Sequence, residues 1–338
     1  MTRRSREMAD YKGILVYCET ANDKLAPIAT ELLGVGSLLA KDLGQELSAV
    51  LIGSSISGIA SEAIAYGANK VYVVDDPLLK DYLTDSYLNV MDKLVKQATP
   101  GIILIGQTQT GRDLTPRLAF RLNTAAVMDC VALAVDPASK RLLMTKPVYG
   151  GNAQAIQVCE ADPQIATVRS KSMTPLARDD SRKGEIINVA AGIDPASIRT
   201  RLLDRKIEAG AGVKLEDAHV IISGGRGIGG ADGFKQLEEL ARILKGAVGA
   251  SRPPCDNKWV PDSVQIGLTG KIVGPDLYIA VALSGSSQHL SGCSGSKVIV
   301  AINKDPEANI FKVASYGVVA DWKKALPAFT AKVKELVG

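Results

Sequence analysis

A run of glycines offers the clearest chemistry: Gly224-Gly225-Arg226-Gly227-Ile228-Gly229-Gly230. It follows an apolar stretch and precedes a helical pattern, and Gly225, Gly227 and Gly230 fit G-x-G-x-x-G. Glycines let a backbone turn sharply and approach a phosphate, whose charge then faces the N-terminus of the following helix. The same run would also serve as a plain tight turn. A nicotinamide dinucleotide calls for an acid about 20 residues on. At that place stand Ser251-Arg252-Pro253-Pro254, a hydroxyl and a cation. An NAD(P)-dependent oxidoreductase built on the Gly224–Gly230 loop is the alternative reading, with Arg252 available for a 2′-phosphate.

A second feature runs from Gly274 to His289, where an apolar strand ends in Ser284-Gly285-Ser286-Ser287-Gln288-His289. Ligands of open α/β sheets sit at such strand ends. Asn303 and Asp321 also stand just past buried runs, Asp321 beside Trp322. An N-cap of the last helix would equally explain Asp321. Four such ends together with the glycine loop suggest one shared ligand.

Composition narrows the classes. The 338 residues are 46% hydrophobic and 22% charged, ordinary for about two globular domains. A net charge of +4 is too slight for a generic nucleic-acid or membrane-surface binder. Aromatic residues at 4% are too few for a base-stacking surface. Apolar runs such as Leu277–Leu283 fall far short of the roughly 20 residues a membrane span needs. The five cysteines are scattered with no C-x-x-C pair, which argues against a disulfide framework, zinc site or iron–sulfur site. The two histidines, His219 and His289, sit in no nucleophile motif. Arg3, Arg4 and Arg6 are followed by acids and no apolar stretch, so residues 1–12 read as a tail rather than a secretory signal, and a bacterial protein would be cytoplasmic.

The elements that position these residues form two α/β halves. Gly13–Glu19, Ser48–Gly53, Lys70–Asp76 and Gly101–Gln107 read as strands of a parallel sheet covered on both faces. Pro27–Leu43 and Asp85–Gln97 carry helical spacing between them. Val127–Val135, Arg141–Pro147, Ala155–Cys159 and Gln164–Arg169, joined by turn signals, predict antiparallel additions. A seam falls near 189–216. Beyond it Ala218–Ser223, Ala247–Ser251, Leu277–Leu283, Lys297–Ile302 and Gly317–Ala320 read as strands, and Phe234–Leu244 and Trp322–Leu336 as helices. The first half lacks a glycine-rich phosphate loop; Gly53–Gly58 is the nearest approach, and reads as an ordinary strand–helix loop.

The run Gly274–Gly292 (GPDLYIAVALSGSSQHLSG) resembles the FAD-binding signature of the α subunit of electron transfer flavoproteins. The likeness continues through Val220–Gly227, Gly249–Arg252, Thr269–Lys271, Val300–Pro306 and Tyr316–Asp321, and more loosely through Gly111–Leu118 and Tyr149–Asn152. The resemblance implies a tail (1–12), an N-terminal α/β domain of the adenine nucleotide hydrolase type (13–204) that pairs with a β subunit, and a doubly wound FAD-binding domain (205–338). It implies AMP or a second FAD in that β subunit, an acyl-CoA dehydrogenase-type donor and a quinone oxidoreductase-type acceptor, with an electron-bifurcating complex as a variant. It places Arg226 along the diphosphate, Ser251 and Arg252 near the flavin ring, and Thr269 at its N5 within Ile266-Gly267-Leu268-Thr269. Ser284, Gly285, Ser286, Ser287, Gln288 and His289 would wrap the pyrimidine edge, ribityl and phosphates. Asn303, Asp321 and Trp322 would lie at the adenosine end. Arg252 and His289 would stabilise negative charge on the reduced ring. Leu268 stands where the family commonly has Gln, Ala282 where it has Gly, and Ser286-Ser287 where it has a small–aliphatic pair.

Overall fold

The computed structural model describes residues 10–151, 153–204 and 213–337. Most of the expected tail, part of the seam and Asn152 lie outside them. Two compact units emerge, one of residues 10–147 with 154–204, the other of 148–153 with 213–337. The stretch around Tyr149, expected in the first domain, thus groups with the second unit.

The first unit begins with β1 (Ile14–Tyr17) and a short hairpin, β2 (Thr20–Ala21) and β3 (Lys24–Leu25). The series α1 (Pro27–Leu43), β4 (Leu47–Gly53), α2 (Ala60–Ala65), β5 (Lys70–Asp75), α3 (Thr84–Ala98), β6 (Ile102–Gly106) and α4 (Gln109–Leu122) follows. Then come β7 (Ala126–Cys130), β8 (Ala132–Val135), β9 (Leu142–Val148), β10 (Ala153–Gln157), β11 (Gln164–Val168) and β12 (Glu185–Asn188). The main sheet has the order β12-β5-β4-β1-β6-β11-β7, and its pairings are parallel. Its central strands are apolar on both faces because both are covered. Ile14 and Val16 pack with Leu32 and Leu33 of α1, while Leu15 and Tyr17 pack with Met91 of α3 and Leu114 of α4.

The expected antiparallel additions hold only in part. β7 and β11 join the parallel sheet, and antiparallel pairing is found between β8 and β9. The single run expected over Val127–Val135 breaks in two. Arg169 clamps Asp129 at the break, with Nε–Oδ1 at 2.9 Å, and Asp129 has a φ of 67°. Lys12, assigned to the tail, already donates its N–H to Thr99 O at 2.9 Å.

The second unit runs β13 (Val220–Gly224), α5 (Ala231–Ile243), β14 (Ala247–Ala250), α6 (Arg252–Asp256), β15 (Leu277–Val281), α7 (Ser287–Cys293), β16 (Val298–Asn303), β17 (Tyr316–Val319) and α8 (Trp322–Val337). The sheet order is β14-β13-β15-β16-β17, with parallel pairings. On one face Ile222, Ile279, Val281 and Ile302 meet Phe234 and Leu237 of α5 and Trp322 and Leu326 of α8. On the other, Ile221, Tyr278 and Ala301 meet Ile266, Leu283 and Cys293. The chain leaves β13 for β14 on one side and then returns to build β15, β16 and β17 on the other. The tips of β13 and β15 are therefore the topological switch point, where connections diverge and a crevice opens.

Phe234 is 2% exposed and lies against the end of β13. Phe234→Ala should cost about 3–5 kcal/mol through the lost burial and the cavity left behind. Lys235→Ala, at a solvent-facing neighbour, should stay within about 0.5 kcal/mol. Urea unfolding followed through Trp259 and Trp322, both in this unit, checks the contrast.

Candidate cofactor site at the strand tips

The tips of β13 and β15 meet backbone to backbone. Gly225 N–H donates to Val281 O at 3.0 Å, and Gly227 N–H reaches Ala282 O at 3.4 Å. A Cβ on Gly225 would stand 2.2 Å from Ala282 O, so only glycine allows this approach. Ala282 N–H donates to Ile302 O and Ser251 N–H to Gly224 O, which joins the four central tips into one rim. Ala282 itself has a φ of 52°, the left-handed region an alanine enters at a cost of about 1–2 kcal/mol. The chain stores local strain at this strand tip.

The glycine loop is open towards solvent. A Cβ at Gly229 or Gly230 would meet nothing within 4 Å. α5 begins after Gly230 with no side-chain cap, and of its first turn Gly233 N–H donates back to Gly230 O at 3.2 Å. Arg226 is exposed and, among the described residues, forms no ion pair. This combination of cation, helix start and bare backbone suits a diphosphate. Trp322 is tied to the glycine loop. It is buried at 6% exposure and donates its indole N–H to Gly227 O at 3.0 Å, which pins the loop.

Across the crevice, Ser251 stands buried at the start of α6, and its hydroxyl makes no cap bond. Arg252 Nε contacts Asp256 Oδ2 at 3.2 Å in an exposed pair that leaves the rest of the guanidinium uncommitted. The loop after Val264 folds back to this side: Ile266 N–H donates to Ala250 O at 2.8 Å, and Leu268 N–H to Gln288 O at 2.8 Å. Gly267 has a φ of 149°, and a Cβ there would stand 2.9 Å from Gln288 O. The loop thus lies flat on the start of α7, presenting exposed Leu268 and Thr269. Thr269 Oγ1 accepts from Gln265 Nε2 at 3.0 Å, so its own hydroxyl proton is free to be donated. Ser284, Ser286, Ser287 and Gln288 are exposed along the next rim, whereas Gly285 is buried against Ile310.

Three of the expected site residues also bond within the protein. Asn303 is buried; its amide donates to Leu283 O at 2.7 Å and its oxygen accepts from Asp305 N–H at 3.0 Å, so it braces the tips of β15 and β16. Asp321 caps α8 by accepting from Lys323 N–H at 3.0 Å. His289 is 4% exposed with both ring nitrogens engaged. Nδ1 lies 3.0 Å from Ile266 O and Nε2 lies 2.8 Å from Tyr278 Oη. A carbonyl only accepts, so Nδ1 carries the proton and bare Nε2 accepts from Tyr278. Burial lowers the pKa of His289 to about 4. In this arrangement the ring of His289 ties the Ile266 carbonyl to the Tyr278 hydroxyl. Tyr278, the residue that sequence reasoning missed, sits inside an apolar run where only its hydroxyl distinguishes it from packing.

The first unit contrasts with this crevice. In the nearest glycine-flanked loop there, Asp75 accepts from Ser55 N–H at 2.7 Å, Ile56 N–H at 3.0 Å, Ser57 N–H at 3.1 Å and Ser57 Oγ at 2.6 Å. The chain's own carboxylate fills the position a phosphate would take.

An open doubly wound sheet with a glycine loop and exposed hydroxyls at its switch point defines a nucleotide-cofactor domain of the α/β class. The chain belongs to the electron transfer flavoprotein α subunit family. The electron transfer flavoprotein domain matches residues 14–194, and the electron transfer flavoprotein FAD-binding domain matches residues 214–294. Among its relatives, the electron transfer flavoprotein subunit alpha of Thermoanaerobacterium thermosaccharolyticum is 46% identical, covering 97% of this chain and 100% of that one. The subunit of the same name from Megasphaera elsdenii is 44% identical over 98% and 99% of the two chains. Protein FixB of Clostridium saccharobutylicum is 40% identical over 98% of each.

Two measurements follow from this geometry. Ala282→Gly relieves the left-handed strain but loosens the unfolded chain, so a net gain of about 0.5–1 kcal/mol is expected in urea unfolding. The neutral His289 makes stability depend on pH. Its folded pKa lies below the unfolded value, so the unfolded state binds the extra proton between about pH 4 and 6.5. The contribution is complete above pH 6.5 and is lost as the pH falls through about 4, a difference of about 3 kcal/mol. His289→Asn should lack this component, and comparing the two pH–stability curves checks it.

Proposed function

We propose that this chain is the α subunit of a heterodimeric electron transfer flavoprotein that binds one FAD in its second unit. The observation that carries the reading is the set of strand ends of one parallel sheet and the loops after them, which bear the exposed cation of Arg226, the open Gly229–Gly230 backbone and the hydroxyls of Ser251, Thr269, Ser284, Ser286 and Ser287. FAD needs a cation and backbone N–H groups for its diphosphate and a row of donors along its ring and ribityl. These residues are of that kind. Bound FAD would supply the redox chemistry, one electron at a time.

The chain's own residues would bind and tune. Arg226 and the start of α5 would hold the diphosphate. Ser251 and Thr269 would donate to ring heteroatoms, with Thr269 assigned to N5. Ser284, Ser286, Ser287 and Gln288 would line the ribityl and pyrimidine edge, with Gly285, Ile266, Gly267 and Leu268 shaping the wall. Asn303, Asp321 and Trp322 would act by bracing the rim at the adenosine end. Arg252 is the cation placed to favour negative charge on the reduced ring.

The first unit would pair with a β subunit holding AMP or a second FAD. The donor would be a flavin dehydrogenase of the acyl-CoA dehydrogenase type and the acceptor a quinone oxidoreductase, with the complex working in the cytoplasm. Among the described residues no helix is long and apolar enough to cross a membrane. A self-contained NAD(P)-dependent oxidoreductase fits less well. It needs an acid or base beside a nicotinamide, and the ring of His289, the one histidine at the crevice, is buried and doubly engaged.

The test is to purify the α–β complex and identify what it carries. One FAD assigned to this chain, with no turnover of nicotinamide alone, supports the reading; a colourless complex, or bound nicotinamide nucleotide, overturns it. Within that complex Arg252→Ala should lower the potential for the first electron. A charged hydrogen bond of roughly 2 kcal/mol corresponds to on the order of 100 mV, and the share of charge taken by Asp256 makes about 50–100 mV the expected drop. A redox titration with an unchanged first potential would remove Arg252 from this role.

A further inference from the structure

We propose that Tyr278 is a positioning residue of the cofactor site, acting through His289 on the loop that carries Leu268 and Thr269. The inference rests on the flavin reading above and deepens it.

Tyr278 lies within β15, fully buried and away from the rim. Its hydroxyl is 2.8 Å from His289 Nε2. His289 Nδ1 is 3.0 Å from Ile266 O. The direction of this chain is set by its far end. Ile266 O has no proton to give, so Nδ1 donates, and a neutral ring then has only an acceptor left at Nε2. Tyr278 must donate to it. Held at both nitrogens, the imidazole has one orientation and one tautomer. It follows that the carbonyl of Ile266 is fixed in direction, and with it the peptide entering Gly267. From there the backbone has little choice: Gly267 is in the left-handed half of the map, and Leu268 N–H is tied to Gln288 O. Leu268 and Thr269 emerge at the rim from this anchored start.

Packing alone does not explain the pair. Its surroundings are mostly apolar, among them Ile221, Leu283 and Ile299, with the Ser223 hydroxyl and the Cys293 thiol as polar neighbours of Tyr278. Two buried polar side chains in such a cluster carry a desolvation cost that Phe and Leu would not. Their hydrogen bonds recover that cost only if both members and the carbonyl are in place. The arrangement stabilises one loop geometry, and Tyr278 is its innermost support.

The test compares the α–β complex as wild type and as Tyr278→Phe, His289→Asn and His289→Leu. The asparagine amide keeps a donor near the Nδ1 position; leucine keeps none. Tyr278→Phe should release FAD about tenfold faster and alter the visible circular dichroism of the flavin, with unchanged far-ultraviolet circular dichroism. His289→Asn should fall between wild type and His289→Leu in release rate. In nitrogen-labelled histidine spectra, the signal missing from His289→Asn should be that of a neutral ring protonated at Nδ1 at pH 7, and its Nε2 resonance should move in Tyr278→Phe. Tyr278→Phe with wild-type FAD release and visible circular dichroism overturns the proposal, as does a wild-type ring protonated at Nε2. A wild-type complex without flavin overturns the flavin reading instead, and the ring spectra still decide whether Tyr278 and His289 form the anchored pair.

Discussion

The second unit depends on one close approach, that of Gly225 to the carbonyl of Ala282. Parallel strands that turn away in opposite directions must leave a gap between their outgoing chains, and here the gap is bounded below by backbone in contact with backbone. That contact draws the two strand tips together. It also explains the residue types around it: glycine on one side, a strained left-handed alanine on the other, and a tryptophan beneath that ties Gly227 in place. Side chains at these points would fill the space that a flat or charged group must enter.

The crevice keeps binding and bracing in separate layers. The exposed layer consists of Arg226, Arg252, Thr269 and the serines and glutamine from 284 to 288, whose donors are largely uncommitted. Beneath it, Trp322, Asn303 and His289 use their polar atoms on the protein itself, as does exposed Asp321 at the start of α8. Such a division is physically sensible, because buried polar atoms must be satisfied while ligand-facing donors must remain available. The first unit shows the opposite outcome. Its loop amides after β4 are already saturated by Asp75, so a similar fold presents no comparable anion position there.

Much of this was legible in the sequence. The central strands of both sheets are continuous apolar runs, and α1 was bounded by Pro27 and Gly44. What escaped had weak local signals. α4 contains Pro116, which ordinarily breaks a helix; β12 is a four-residue, largely exposed edge strand; α6 opens with Arg252-Pro253-Pro254 and α7 is serine-rich. Of the site, the positions at the rim could be read from spacing and resemblance, but not which layer each side chain joins. Whether a histidine faces a ligand or a carbonyl depends on a partner such as Tyr278, 11 residues away and hidden in a strand.

The most direct measurement of the central claim is a diffraction structure of the α–β complex with its native cofactor. The account predicts FAD lying across the tips of β13 and β15, with its diphosphate on the Arg226–Gly230 loop and its ring between Arg252 and the 266–269 loop. A flavin bound to this chain anywhere other than that crevice, or the crevice closed over by protein side chains while the flavin sits elsewhere, would contradict it.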